Sequence, residues 1–229
     1  MVVAMPAGPL YVVNWSQVNF VLDSTELRVL GALIEKESTT PEYYPMTLNA
    51  LVAACNQKSN RWPVCEYADY EVQEALSGLR SHGFAAEITG GSRVSKYAQR
   101  FTEKLNLGRR ENAILCVLML RGQQTLGEIK GRTERIYAFS DLEEVELVLQ
   151  KLIDRPEGAL AQKLLPAPGM KEPRYTQTLT GAVDQAAAVA APVHTPASAP
   201  AERLSALEAE VAGLRAEVAE LRRLLESVM

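Results

Sequence analysis

The chain has 229 residues, 47% of them hydrophobic, with a formal net charge of −4. That length suits two small globular domains and an appendage. No stretch of domain length is strongly basic, which excludes nucleic-acid binding driven by overall charge and leaves only local patches for any DNA contact.

Residues 1–22 are apolar but broken by Pro6, Gly8, Pro9, Asn14, Gln17 and Asn19. The first basic residue is Arg28, so the positive start of a secretory signal is missing. No stretch reaches the ~18–20 uninterrupted apolar residues of a membrane span. An extended leader is expected, or a start codon assigned too early. Asp23 and Glu26 then form an Asp-x-x-Glu capping box, and Leu27, Leu30, Leu33 and Ile34 make the buried stripe of a first helix. Thr47 caps a second helix over 48–55. A polar, basic loop follows, Asn56-Gln57-Lys58-Ser59-Asn60-Arg61-Trp62-Pro63. A third helix is predicted over 67–80, stopped by Gly83 after His82. Strands are expected over 84–88 and 94–101, joined by the turn at Gly90-Gly91. Three helices followed by a β-hairpin is the winged-helix order.

The pattern then repeats. Glu111, Ile114, Leu115 and Leu118 match Glu26, Val29, Leu30 and Leu33. Thr125-Leu126 matches Thr47-Leu48, with Glu128 completing a Thr-x-x-Glu box. Ser140 and Glu143 form a further box before a second third helix over 141–152. Residues 96–102, KYAQRFT, align with 174–180, RYTQTLT. An internal duplication of one unit accounts for these matches. The second hairpin spans about 159–179, with its wing tip over 166–173.

The third helix of a winged helix normally enters the DNA major groove. Here its outward faces are acidic. The first carries Tyr67, Tyr70, Glu74 and Ser77, flanked by Glu71 and Gln73; the second carries Glu143, Leu147 and Gln150, flanked by Glu144, Glu146 and Lys151. Carboxylates are repelled by phosphates, so these helices are poor groove readers.

Three segments together resemble the YceH-like family of bacterial tandem winged-helix proteins of unknown function: Leu22-Asp23 with residues 26–36 (ELRVLGALIEK), residues 55–61 (CNQKSNR) and residues 140–146 (SDLEEVE). The resemblance covers about 22–181 and implies a fold. It supplies no established activity and no catalytic residues, and the leader has no counterpart in the family pattern.

Residues 182–201 are rich in Ala and Pro and read as a flexible linker. In 202–229 every a position (Leu204, Val211, Val218, Leu225) and every d position (Leu207, Leu214, Leu221, Val228) of a heptad repeat is apolar. Opposite charges pair from g to e: Arg203 with Glu208, Glu210 with Arg215, Glu217 with Arg222. This predicts a parallel coiled-coil homodimer, although a helix folded back onto its own globular part fits the same stripe.

The expected architecture is therefore α+β and mainly α: a leader over 1–22, winged-helix domains over 23–105 and 106–181, a linker over 182–201 and a coiled coil over 202–229. Cys55, Cys65 and Cys116 form no disulfide framework or metal spacing, which favours a reducing, cytoplasmic compartment. Neither His82 nor His194 stands in a catalytic pattern, no phosphate loop or cofactor fingerprint is present, and a non-enzymatic chain without cofactor or metal is expected. Two constellations remain. Loops and wings offer Lys58, Asn60, Arg61, Arg93, Lys96, Lys130, Arg132, Arg135, Lys171 and Arg174, which could hold DNA phosphates or pair with nearby carboxylates. Trp62, Tyr67, Tyr70 and Leu147 offer a protein-partner or inter-domain face. The candidate partners are a second copy, double-stranded DNA and another protein. The leading reading is a DNA-associated regulator of the transcription type; the alternative is a protein–protein adaptor whose winged helices never touch DNA. Carboxylates covering Lys58, Arg61, Arg132 and Arg135 would favour the adaptor.

Overall fold

A computed structural model describes residues 20–89, 94–166 and 172–181. Most of the predicted leader, the linker and the heptad segment lie outside the described residues, as do Arg93 and Lys171.

The capping signals fix the helix starts. The Asp23 carboxylate accepts from the backbone N–H groups of Thr25 and Glu26 at 2.7 and 2.8 Å, and the Glu26 carboxylate accepts from Asp23 N–H at 2.9 Å. Helix α1 (Ser24–Thr39) follows, then a 3-10 turn at Pro41–Tyr43, a short strand β1 (Met46–Thr47) and α2 (Leu48–Cys55), capped by the Thr47 hydroxyl. Helix α3 (Asp69–Ser81) starts later than its periodicity predicts. Glu71 sets that start by accepting from Ala68 N–H at 2.8 Å. Strands β2 (Ala85–Ile88) and β3 (Lys96–Gln99) form the expected antiparallel hairpin. Unpredicted, β1 adds to β3, giving the order β1-β3-β2. The returning strand is shorter than predicted, because Phe101 turns into the short helix α4 (Phe101–Lys104) and is buried.

The second half repeats the order with α5 (Arg109–Arg121), α6 (Leu126–Thr133), α7 (Leu142–Ile153), β4 (Ala161–Leu164) and β5 (Arg174–Gln177). Thr125 and Glu128 make the predicted box. The box predicted for Ser140 and Glu143 is displaced by one residue: Asp141 accepts from Glu144 N–H at 2.8 Å, and Glu144 accepts from Ser140 N–H at 2.9 Å. Met46 faces Tyr97 in the first sheet, and Gln124 forms the corresponding isolated bridge to Tyr175 in the second, so the extra strand recurs as a single pairing.

The halves share one hydrophobic core. Helix α1 packs against α2 and α3 of its own half and against α5 of the other. This double cover corrects the predicted stripe: Leu27 is only partly buried, while Val29, Leu30, Gly31, Ala32, Leu33 and Ile34 are all buried. Helix α5 is likewise buried continuously from Glu111 to Leu120. The two backbones approach at Gly31, where an added Cβ would stand 2.9 Å from Leu120 Cδ2 and 3.1 Å from Met119 Cβ. Leu22 N–H also donates to Leu179 O at 2.8 Å, so the chain entering α1 is tied to the chain leaving β5. Among the described residues no helix is long and apolar enough to cross a membrane.

Candidate functional site

The polar loop between α2 and α3 contains the first predicted cations. Asn60 adopts φ 61°, a left-handed conformation that an asparagine side chain tolerates. The turn sends Arg61 inward rather than to the surface. Arg61 is only 3% exposed. Its Nη1 and Nη2 donate to the two Glu35 carboxylate oxygens at 3.2 and 2.6 Å, a bidentate pair. Further donations reach Ala54 O, Asn60 O and the Gln57 side chain. Arg61 is thus the internal strut of its loop, which corrects its placement among surface phosphate contacts.

The same loop joins the two halves. Trp62 N–H donates to Leu120 O at 2.7 Å, and the Arg121 guanidinium donates to the Asn60 side-chain oxygen. The Trp62 ring lies beside Gly122, where a Cβ would be 3.6 Å from Cδ1. Trp62 thus ties the loop to α5 through its backbone, while its ring stays 38% exposed at the edge of the seam. Tyr67 is also drawn in: Asn56 exchanges hydrogen bonds with its backbone at 2.8 Å, and Arg28 stands 5.9 Å from its ring centroid. Sequence reasoning missed Arg28, which is buried and donates to Cys55 O at 3.1 Å and Pro63 O at 2.6 Å. Its position inside an apolar stripe was the available signal.

A second node centres on Glu128. Besides capping α6, it accepts from Arg174 Nη1 at 3.1 Å and Arg132 Nη2 at 3.4 Å. Arg174 also donates to Gln123 O at 3.0 Å, and Arg132 to the Gln124 side chain. Arg174 is buried because β5 is covered on both sides, so it too is an internal group. Lys58, Lys96, Lys130 and Arg135 form no ion pair with a described residue. Lys58 and Arg135 are exposed, Lys96 and Lys130 half-buried. Asn60, Arg132 and Arg135 meet in one cleft of about 400 Å³, also lined by Lys36 and Arg121; Lys58 and Lys130 are not among its lining. Burial, and next the neighbouring Arg132 charge, lower the Arg121 pKa from its usual value.

The outward faces of α3 and α7 remain as predicted in part. Tyr70 and Leu147 are 71% and 72% exposed. Asp69 and Glu74 flank the first, Glu143 and Glu146 the second, all exposed. Elsewhere, burial pushes the Cys55 thiol up to about 12 and raises that of Cys116. His82 lies beside the contacting rings of Phe20 and Phe84. Among the described residues no cluster of His, Cys, Asp or Glu could hold a metal ion.

Residues 22–170 match the model of a family described as "Protein of unknown function, DUF480". A UPF0502 protein of Solibacter usitatus is 53% identical over 205 residues, covering 90% of this chain and 98% of the relative. A UPF0502 protein of Vibrio atlanticus is 46% identical over 217 residues, covering 92% and 100%. The UPF0502 protein YceH of Salmonella paratyphi B is 41% identical over 215 residues, covering 92% and 97%. The chain belongs to this family, in agreement with the YceH-like resemblance of its sequence.

Removing the Glu35 carboxylate would strand the buried Arg61 charge. Glu35→Ala is expected to cost about 3 kcal/mol, less than a fully buried pair because Glu35 keeps some exposure and Arg61 keeps its carbonyl acceptors. Lys58→Ala should stay within about 0.5 kcal/mol of the parent. Urea unfolding checks both; a Glu35→Ala loss under about 1 kcal/mol would show that Arg61 is solvated rather than internal.

Proposed function

We propose that this DUF480 member is a non-enzymatic protein–protein adaptor, with two winged-helix halves locked together and two copies joined through the C-terminal heptads. The observation that carries this reading is the engagement of the predicted phosphate contacts. Arg61, Arg132 and Arg174 all bond carboxylates of their own chain. Nonspecific duplex binding depends on cations that can replace counterions along the phosphates, and a guanidinium already paired and buried contributes little to that. The recognition-helix faces point the same way. Exposed Tyr70 and Leu147 amid carboxylates suit a partner segment that pairs apolar anchors with Lys or Arg.

The DNA-associated regulator is the second reading. It is favoured by Lys58, Lys96, Lys130 and Arg135, which form no ion pair with a described residue. The compartment that suits either reading is the cytoplasm, given three free thiols.

Fluorescence anisotropy of a labelled random duplex separates the two. The adaptor predicts no salt-sensitive binding at micromolar protein, even at low ionic strength. Binding that weakens steeply with salt and is lost in Lys58→Ala/Arg135→Ala would replace it with the regulator. The dimer has its own check: a chain cut after Gly181 should scatter light as a folded monomer, and a dimer there would remove the heptads as the main contact between copies.

A further inference from the structure

The cleft at the seam has a composition that neither reading uses. Its floor is apolar, made by Cys116, Val117 and Leu120 of α5. Its walls come from the end of α1, the 56–63 loop and the end of α6. Lys36, Arg121, Arg132 and Arg135 line it, opposed there by Glu35 and Glu134. Glu35 is already held by Arg61, at 2.6 Å, and lies 3.8 Å from Lys36. Arg132 shares Glu128 with Arg174. Arg121 bonds only a neutral partner, the Asn60 amide, among its described hydrogen bonds and ion pairs. The connected cations therefore outnumber the carboxylates, in a recess where water is a poor screen.

Three helices end at this cleft, and a bare helix C-terminus would repel an anion with about half a unit charge. Here several carbonyls of those last turns accept a further donor. The Thr39 and Thr40 hydroxyls donate to Glu35 O and Lys36 O at 2.8 and 3.2 Å. The Thr133 hydroxyl donates to Ile129 O at 2.9 Å and Lys130 O at 3.0 Å, and Trp62 N–H covers Leu120 O at 2.7 Å.

We infer that this cleft binds a small phosphorylated ligand, held by Arg121, Arg135 and Lys36, with Arg132 paired to Glu128 and adding only its charge to the wall. A cavity of about 400 Å³ admits a molecule the size of a nucleotide or sugar phosphate. The Arg121 and Arg135 guanidiniums and the Lys36 ammonium line one cleft, and a phosphate's oxygens accept more such donors than a single carboxylate can. A duplex presents a broad convex surface and would meet the exposed rim, not the half-buried Arg121 and Arg132. Because α1, the loop, α5 and α6 all contribute, the ligand would bridge both halves. The inference does not rest on the adaptor reading.

Calorimetric titration of the full chain with inorganic pyrophosphate and with adenosine 5′-monophosphate tests it. Saturable binding of at least one probe with Kd of roughly 1 mM or tighter is expected. Arg135→Gln and Lys36→Gln, at positions with no strong ion pair to lose, should each weaken it about tenfold without moving the unfolding midpoint. Lys163→Gln, on β4 away from the cleft, should bind as the parent does. Absence of saturation with both probes, or binding indifferent to Arg135→Gln and Lys36→Gln, would overturn the assignment. So would displacement of the probe by a random duplex, which would make the cleft a nucleic-acid contact.

Discussion

The close crossing of α1 and α5 at Gly31 is the constraint from which the rest follows. A side chain there would drive into Leu120 and Met119. Glycine within a helix costs up to about 1 kcal/mol against alanine, and the continuous burial on both helices offsets it. Leu30, Leu33, Ile114, Leu115 and Leu118 are each at most 1% exposed. Two halves that could each have been an independent domain thus share a core. Cys116 adds a weak contact, its Sγ lying 3.6 Å from Gly31 O.

That crossing determines what the polar loop can do. With α5 against α1, the loop after α2 runs over the end of α5 and is fastened there by Trp62 and Asn60. Arg61 then has no route to solvent and takes Glu35 as its partner. A buried pair of this kind contributes modestly to net stability, but removing one member is costly, so its effect is to hold one arrangement of the loop. The Glu128 node does the corresponding work in the second half, tying α6 to β5 through Arg174. The cleft exists because two such nodes lie on either side of one seam.

Much of the local structure was legible in the residues. Capping boxes at Asp23 and Thr125 fixed helix starts, because a cap is a short-range exchange between side chain and backbone. The matched segments at 96–102 and 174–180 announced two hairpins, and β3 and β5 lie within them. What could not be read was whatever depends on residues distant along the chain. Arg61 and Arg174 look like surface cations in sequence, since their carboxylate partners lie 26 and 46 residues away. Tyr67 looks outward by helical phase but is half-buried with Arg28 over its ring, whereas Trp62, which the sequence offered for a partner or inter-domain face, reaches α5 through its backbone N–H. The uninterrupted apolar runs at 29–34 and 113–120 were the available sign that these two helices are covered on more than one side.

The fusion of the halves is most directly tested by unfolding with Trp62 as a probe. Trp15→Phe leaves Trp62, at the seam, as the sole tryptophan. Its fluorescence and the far-ultraviolet circular dichroism should change along one coincident urea transition, because the seam and the helices of both halves belong to one cooperative core. A Trp62 transition well before the loss of helix, or two separate steps in the dichroism, would mean that the halves are independent domains in loose contact, and would contradict the account.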